Sequence, residues 1–210
     1  TFPIIINNFF VKKNKINSNK EIKKICVGNI YVGGTAKTPL TIKIYKILKK
    51  LGYKAATIKK FYKDQIDEQR ILNSKTTLYC AKNRNQALNQ AIKDSVDVAI
   101  FDDGLQDKSI NYDLKFVCFN NLKWIGNGFL IPAGPLREKI ESLSKYDAVF
   151  INGNESDNSS LKQLIKTHNK DIQIFESTYK PVNISQFNIE AKYLIFSGIG
   201  NPESFKETLI

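Results

Sequence analysis

The chain has 210 residues, of which 42% are apolar, with 13 Phe and 9 Tyr. That is material for one α/β domain and the start of a second; it excludes a disulfide miniprotein and a disordered chain, and no apolar run reaches the ~20 residues that a membrane-spanning helix needs. The net charge of +12 is unevenly placed: residues 1–60 hold 14 Lys against the single acid Glu21, and the other 150 hold 18 cations against 19 acids. One end of the protein is therefore basic and the rest is balanced. Only three of the 32 cations are Arg, a poor composition for a nucleic-acid groove, so no nucleic-acid partner is expected; the basic end suits an anionic membrane surface, and a Lys- and Asn-rich compositional bias without functional demand is the plainer alternative. Cys26, Cys80 and Cys118 are odd in number and widely spaced, which predicts three free thiols in a reducing compartment.

In chain order, Phe2, Ile4, Ile5, Ile6, Phe9, Phe10 and Val11 come first, followed by Lys12, Lys13, Lys15 and Lys20. Charge after an apolar stretch reverses the order of an export signal. Two readings are open: an interfacial anchor with its lysines at anionic headgroups, or an ordinary helix packed on the domain. Lys12 to Lys20 reads as an exposed loop. From Ile25 onward strand and helix patterns alternate: a strand over Ile25–Val32, a helix over Pro39–Leu51, a strand over Tyr53–Ile58, a helix over Asn83–Lys93, and strands over Val96–Phe101, Leu114–Phe119 and Ala148–Ile151. Alternation of this kind predicts βαβ units and a mostly parallel sheet covered by helices on both faces. Beyond a polar stretch, a helix is expected over Leu161–His168, strand-like pieces over Ile172–Ser177 and Ile184–Phe187, and a buried strand over Tyr193–Ser197. The predicted organisation is a core over residues 1–180, with a membrane-associating segment at about 1–24, and a linker leading into a truncated second, smaller α/β domain over 181–210. There is no Met, and Phe205–Ile210 has no helix stop signal, so a piece of a longer chain is expected.

Three motifs carry chemistry. Gly33-Gly34-Thr35-Ala36-Lys37-Thr38-Pro39 lies between a strand and a helix. There, backbone N–H groups of small residues can turn onto phosphate oxygens, Lys37 can reach the β and γ phosphates, and Thr38 can ligate Mg²⁺. The strict phosphate-loop pattern is not met, since Tyr31 and Ala36 stand where glycines are expected, and a strand-to-helix turn with an incidental Lys-Thr is the alternative. Next, the apolar strand Val96–Phe101 ends in Asp102 and Asp103, as a Walker B strand does to hold hydrated Mg²⁺, although such a pair standing alone is more often a turn or a cap. The third motif, Gly126 to Glu138, packs glycines and prolines around an apolar centre and ends in Arg137 and Glu138. Arg suits phosphate oxygens and Glu suits a metal or a donor, while a rigid structural loop with a surface ion pair is the plainer reading.

Together, Val27-Gly28-Asn29-Ile30, the Gly-Gly-Thr-x-Lys-Thr-Pro loop, Asp102-Asp103-Gly104-Leu105-Gln106, Gly126 to Glu138, and Gly198-Ile199-Gly200-Asn201-Pro202-Glu203-Ser204-Phe205 resemble the tetraacyldisaccharide 4'-kinase family, the lipid A kinases of Gram-negative bacteria. The resemblance runs in collinear order from about Ile25 to Ile210. It implies a P-loop NTPase-like α/β fold and ATP- and Mg²⁺-dependent phosphorylation of the 4'-hydroxyl of a tetraacylated glucosamine disaccharide 1-phosphate, which forms lipid IVA. It further implies a peripheral position on the cytoplasmic face of the inner membrane, with the lipid disaccharide as partner and no obligate protein partner. By the resemblance, Gly33, Gly34, Thr35, Ala36, Lys37 and Thr38 bind the nucleotide, Lys37 and Arg137 act on the transferring phosphate, and Thr38, Glu68, Asp102, Asp103 and Glu138 are metal-associated. The family's Asp-Glu pair falls on Asp67-Glu68, which makes Asp67 the base.

This sequence also departs from the family. The Gly-rich loop before the Asp-Glu pair is shortened to Lys59-Lys60-Phe61-Tyr62-Lys63, and Asp107 stands where the family usually has His. The family's later Asp-His-His segment, whose His supports the catalytic Asp, lies beyond residue 210. The single His168 is read as a solvated helix residue. Two other functions are therefore carried alongside the kinase: a membrane-docked P-loop ATPase or switch without lipid kinase activity, and a catalytically impaired fragment of the kinase.

Overall fold

The computed structural model describes residues 2, 3, 6, 21–122, 124–153, 157–180, 184–188, 190–196, 205 and 206. The chain divides into two compact units, one formed by Thr1–Asn29 with Lys37–Val117 and the other by Ile30–Ala36 with Cys118–Ile210.

In the first unit, β1 (Lys23–Gly28), β2 (Ala55–Lys60), β3 (Leu78–Ala81), β4 (Val98–Asp102) and the beginning of β5 (Leu114–Asn120) lie in the order β3-β2-β4-β1-β5, with every neighbouring pair parallel. β4 is buried along its whole length, as expected of a strand covered on both faces. The side-chain period of two sorts the strands. Cys26, Ala56, Ile58, Ala99 and Phe101 face a core completed by Ala87, Leu88 and Ala91 of α3 (Arg84–Lys93). The opposite face of β4 carries Asp102 toward α1 (Lys37–Lys50), whose buried side is Thr41, Ile44, Ile47 and Leu48. β1 and β4 are neighbours with Val27 opposite Asp102, so the C-terminal ends of these two strands lie side by side.

In the second unit β5 continues into the order β5-β6-β7, with β6 (Ala148–Asn152) and β7 (Gln173–Ser177) parallel and Phe150 stacked on Phe175 at 5.1 Å. The helix α4 (Ser159–His168) buries Leu161 and Ile165; His168 is its last residue and is half-buried.

The expected strands and helices form within a few residues of their predicted bounds up to residue 177. Among the described residues, one strand and one α-helix have no counterpart in the sequence reading, nor do the short 3₁₀ helices Lys63–Gln65 and Ile140–Lys145. β3 is four half-buried residues long, too short to show a period. α2 (Ile66–Lys75) buries only Gln69 and Leu72, so it has no apolar stripe to read. Two expectations are corrected. Ile184–Gln186 is a 3₁₀ turn and not a strand, and Tyr193–Phe196 has no regular structure, with Leu194 92% and Phe196 87% exposed. An apolar run becomes a strand only where a neighbour satisfies its N–H and C=O groups, and no described strand pairs with it.

Most of the Phe2–Val11 segment, all of Lys12–Lys20, and Gly198–Ser204 lie outside the described residues. Of the first, Phe2 meets the Phe116 ring edge-on at 5.7 Å and Ile6 is fully buried. The three cysteines are free thiols, as their spacing predicts. Among the described residues no helix is long and apolar enough to cross a membrane.

Candidate functional site

The first unit gathers a charged cluster at the end of β4. Asp102, 1% exposed, accepts from Thr38 Oγ1 at 3.3 Å and Thr41 Oγ1 at 3.3 Å, and from Lys59 Nζ at 2.8 Å. Thr38 and Thr41 are one turn apart on α1, which puts both hydroxyls on the face turned to the sheet. Lys59 reaches Asp102 because β2 pairs with β4 through Ile58 and Phe101, so one rung further both residues project to the α1 side. The same ammonium holds Glu68 Oε2 at 2.7 Å. Burial pulls the Lys59 ammonium down, but the charge of Asp102 and the hydrogen bonds to Asp102 and Glu68 outweigh it and hold it above the usual lysine range. Asp103, the next residue, lies 3.8 Å from Lys37 Nζ. Asp67 and Glu68 both sit in the first turn of α2, where their charge suits the helix dipole, and Asp67 is exposed.

The two motifs flanking this cluster interlock. The backbone N–H of Asp103 donates to Val27 O at 2.8 Å, and Gln106 Nε2 donates to Asn29 O at 3.0 Å. Leu105 packs on Gly28 so closely that a Cβ there would lie 2.6 Å from its Cγ, which explains the glycine. Arg84, 8% exposed, donates through Nη2 to the carbonyl of Asp103 and through Nη1 to Asp107 Oδ2 at 3.3 Å. Asp103 has a left-handed φ of 57°, and Arg84 braces that turn. Burial would raise the Asp107 carboxyl, but two hydrogen bonds from Ser109 and the Arg84 guanidinium hold it below the ordinary Asp range. The aspartate at the family's usual His position is thus the counter-ion of Arg84.

The second unit holds the glycine loop and the Arg-Glu block. Tyr31 is 3% exposed, stacks on Phe119 at 5.8 Å, and its hydroxyl accepts from Asn120 N–H at 2.7 Å. It is a packing residue ahead of the loop, where no glycine is needed. Leu136 bridges Tyr31 in antiparallel fashion, Val32 N–H donates to Pro135 O at 2.9 Å, and Arg137 and Glu138 N–H donate to Ile30 O at 2.7 and 3.2 Å. The Gly126 to Glu138 block is therefore tied by backbone to the three residues before Gly33. Gly134 is required, since a Cβ there would lie 2.5 Å from Phe129 O. Glu138 Oε2 accepts from Tyr146 OH at 2.9 Å. At the other end of the loop, Asn152 Nδ2 donates to Thr35 O at 3.0 Å. Ala36 has a φ of 57°, so the position where a glycine was expected does adopt glycine's conformation.

These residues fit a magnesium nucleotide. The first turn of α1 contains no acid, so its N-terminal charge is free to meet an anion, and Pro39, at its third position, lacks an N–H that the helix would not use. Among the described residues no group of three His, Cys, Asp or Glu could hold a metal. One hydroxyl and one carboxylate suit Mg²⁺ that keeps waters and takes its remaining ligands from phosphate oxygens. Sequence reasoning missed Lys59, Thr41 and Asn152. For Lys59 a signal existed: alternation along Ala55–Lys60 puts it on the same inward side as Ala55 and Thr57. Thr41 and Asn152 are recognisable only from their partners.

A sequence profile of the family described as LpxK, tetraacyldisaccharide-1-P 4'-kinase, matches residues 5–210. The chain is 52% identical over 209 residues to the tetraacyldisaccharide 4'-kinase of Pelagibacter ubique, covering 99% of this chain and 67% of that protein. It is 31% identical over 204 residues to the protein of the same name from Vibrio campbellii, covering 88% and 59%. The chain thus spans about six tenths to two thirds of the length of these relatives. Among solved structures, LpxK from Aquifex aeolicus in complex with ATP is similar with a TM-score of 0.53 at 19% identity, over 89% of this chain and 81% of that one. The hydrogenase maturation factor HypB from Archaeoglobus fulgidus is similar with a TM-score of 0.52 at 14% identity, over 90% and 88%. At these identities the likeness establishes the fold, which is of the P-loop NTPase type.

Proposed function

The chain belongs to the tetraacyldisaccharide-1-P 4'-kinase family, and from that premise we propose that it carries the nucleotide-handling part of an ATP-dependent phosphotransferase. Its acceptor is the 4'-hydroxyl of a tetraacylated glucosamine disaccharide 1-phosphate, and its product is lipid IVA. The observation that carries this reading is the meeting of the loop's Lys-Thr with the two carboxylates at the end of β4, Thr38 at 3.3 Å from Asp102 and Lys37 at 3.8 Å from Asp103.

In this reading the backbone of Gly33, Gly34, Thr35 and Ala36 receives phosphate oxygens, Lys37 leaves Asp103 for the β and γ phosphates, and Thr38 and Asp102 hold Mg²⁺. Mg²⁺, when bound, neutralises charge on the β- and γ-phosphate oxygens. Asp67 accepts the proton of the 4'-hydroxyl as that oxygen bonds to the γ-phosphorus, and the bond from the γ-phosphorus to the β,γ-bridging oxygen breaks to release ADP. Its exposed place at the start of α2 supports this role. Arg137 and Glu138 serve the phosphates and the metal; their support is the resemblance together with their backbone ties to Ile30. The protein works peripherally on the cytoplasmic face of the inner membrane, where an amphiphilic acceptor is presented beside a basic N-terminal region. The division into a core over 1–180 and the beginning of a further domain over 181–210 belongs to the same proposal.

The test is transfer of labelled γ-phosphate from ATP to tetraacyldisaccharide 1-phosphate in mixed micelles. Transfer by the parent chain, reduced at least about 100-fold in Lys37→Ala and in Asp67→Ala, is the expected result. ATP hydrolysis that is indifferent to the lipid, with no transfer, would instead favour the ATPase or switch.

A further inference from the structure

Among the described residues of the first unit, the most deeply buried charge pair involves a residue that the family resemblance gives no part. Lys59 is 2% exposed and Asp102 1%, and burying two such charges is tolerable only because they face one another with further hydrogen bonds. The ammonium has three N–H donors; two are directed to Asp102 Oδ2 at 2.8 Å and Glu68 Oε2 at 2.7 Å. Glu68 is far less enclosed, its side chain being 51% exposed, so Lys59 ties an accessible carboxylate at the start of α2 to the inaccessible one at the end of β4. Asp102 Oδ1 accepts from Thr41 at 3.3 Å, and Oδ2 is shared between Lys59 and Thr38.

We propose that the Lys59 ammonium is a resident cation at the end of β4. It occupies the side of Asp102 that faces Glu68, holds the two carboxylates together without a divalent ion, and makes Glu68 the anchor of Lys59 instead of a metal ligand. The inference rests on the reading above in which Thr38 and Asp102 hold the magnesium of the nucleotide. Two consequences follow from charge. Asp102 is already neutralised by a fixed positive partner, so the nucleotide-free protein has little attraction for Mg²⁺, which enters with the phosphates. The acidic turn of α2 is positioned by Lys59, so Asp67 stands ready beside the site before any metal arrives.

The experiment uses Mg²⁺ and Mn²⁺ alone, without nucleotide or lipid, so phosphotransfer can fail without deciding it and its own failure leaves the kinase reading standing. Lys59→Ser removes the ammonium and leaves room for a hydrated ion between two carboxylates. In metal-free buffer this variant is expected to melt at least about 6 °C below the parent. Mg²⁺ should restore at least about half of that loss while leaving the parent unchanged, and the variant alone should take up Mn²⁺ in a resonance titration. A loss that Mg²⁺ does not restore, or an equal response in parent and variant, overturns the proposal, since a merely structural lysine would give the first and a free metal site the second. If Lys59→Ser does not fold, the parent decides through comparison with Glu68→Gln. No Mn²⁺ uptake by either supports the resident cation, and uptake by the parent that Glu68→Gln abolishes overturns it.

Discussion

Ala36 shows how a single side chain departs from a motif while the backbone keeps it. Its φ of 57° is the conformation that a glycine adopts at no steric cost, and an L-residue there is strained by roughly 1–2 kcal/mol. Against this, a glycine loses more freedom on folding, about 0.4–1 kcal/mol. Ala36→Gly is expected to stabilise the protein by about 0.5–1 kcal/mol, read as a higher urea midpoint at constant slope; a lower midpoint would mean that the alanine methyl is held by packing. Asp107 teaches a related lesson. Against the family pattern it looks like the loss of a histidine, but in place it is the counter-ion of a buried arginine whose other arm holds the Asp103 turn. Tyr31, likewise out of place in a phosphate-loop pattern, lies ahead of the loop and packs on Phe119.

At the scale of elements, α3 and α2 contrast. α3 was readable because Ala87, Leu88 and Ala91 recur at helical spacing and Asn83 precedes them; in the structure Asn83 Oδ1 accepts from Gln86 N–H at 2.9 Å, capping the helix. Asn83→Ala should therefore cost about 1 kcal/mol of stability. The check is a urea unfolding curve, and a change within error would show that the cap contributes nothing. α2 carries Asp67 and Glu68 yet was not anticipated, because a helix exposing most of its residues has no apolar period and takes its stability from one buried leucine and local hydrogen bonds. Gln69 Nε2 donates to Tyr62 O at 2.6 Å and Gln65 O at 3.0 Å, so the shortened segment Lys59–Lys63 does connect β2 to the acidic turn. Such bonds form only once the chain has folded back on itself, and no linear pattern announces them.

For the molecule as a whole, a ligand that binds only the folded state adds stability in proportion to the logarithm of one plus the ratio of its free concentration to its Kd. Mg²⁺·ATP at about 100 times its Kd should contribute about 2.7 kcal/mol and raise Tm by roughly 5–10 °C, an effect that Lys37→Ala should remove. An equal rise in the variant would place the nucleotide elsewhere. The sequence by itself determined the α/β class, the strands and helices through residue 177 other than β3 and α2, the glycine loop between β1 and α1, the acidic pair that ends β4 and the family, because these rest on periodicity and on motifs local in the chain. It also contained the Asp67-Glu68 pair, though not the helix that carries it. Only the tertiary structure decided that Lys59 joins Asp102 and Glu68, that Arg84 braces Asp103, and that Asn152 and the Arg137-Glu138 block hold the two ends of the glycine loop. It also decided that the apolar run Tyr193–Phe196 forms no strand. The reason is the same throughout: buried charges and unpaired backbone groups are stable only with partners supplied by distant segments. Those partners are set by strand order and register, which the sequence pattern of any one segment does not contain.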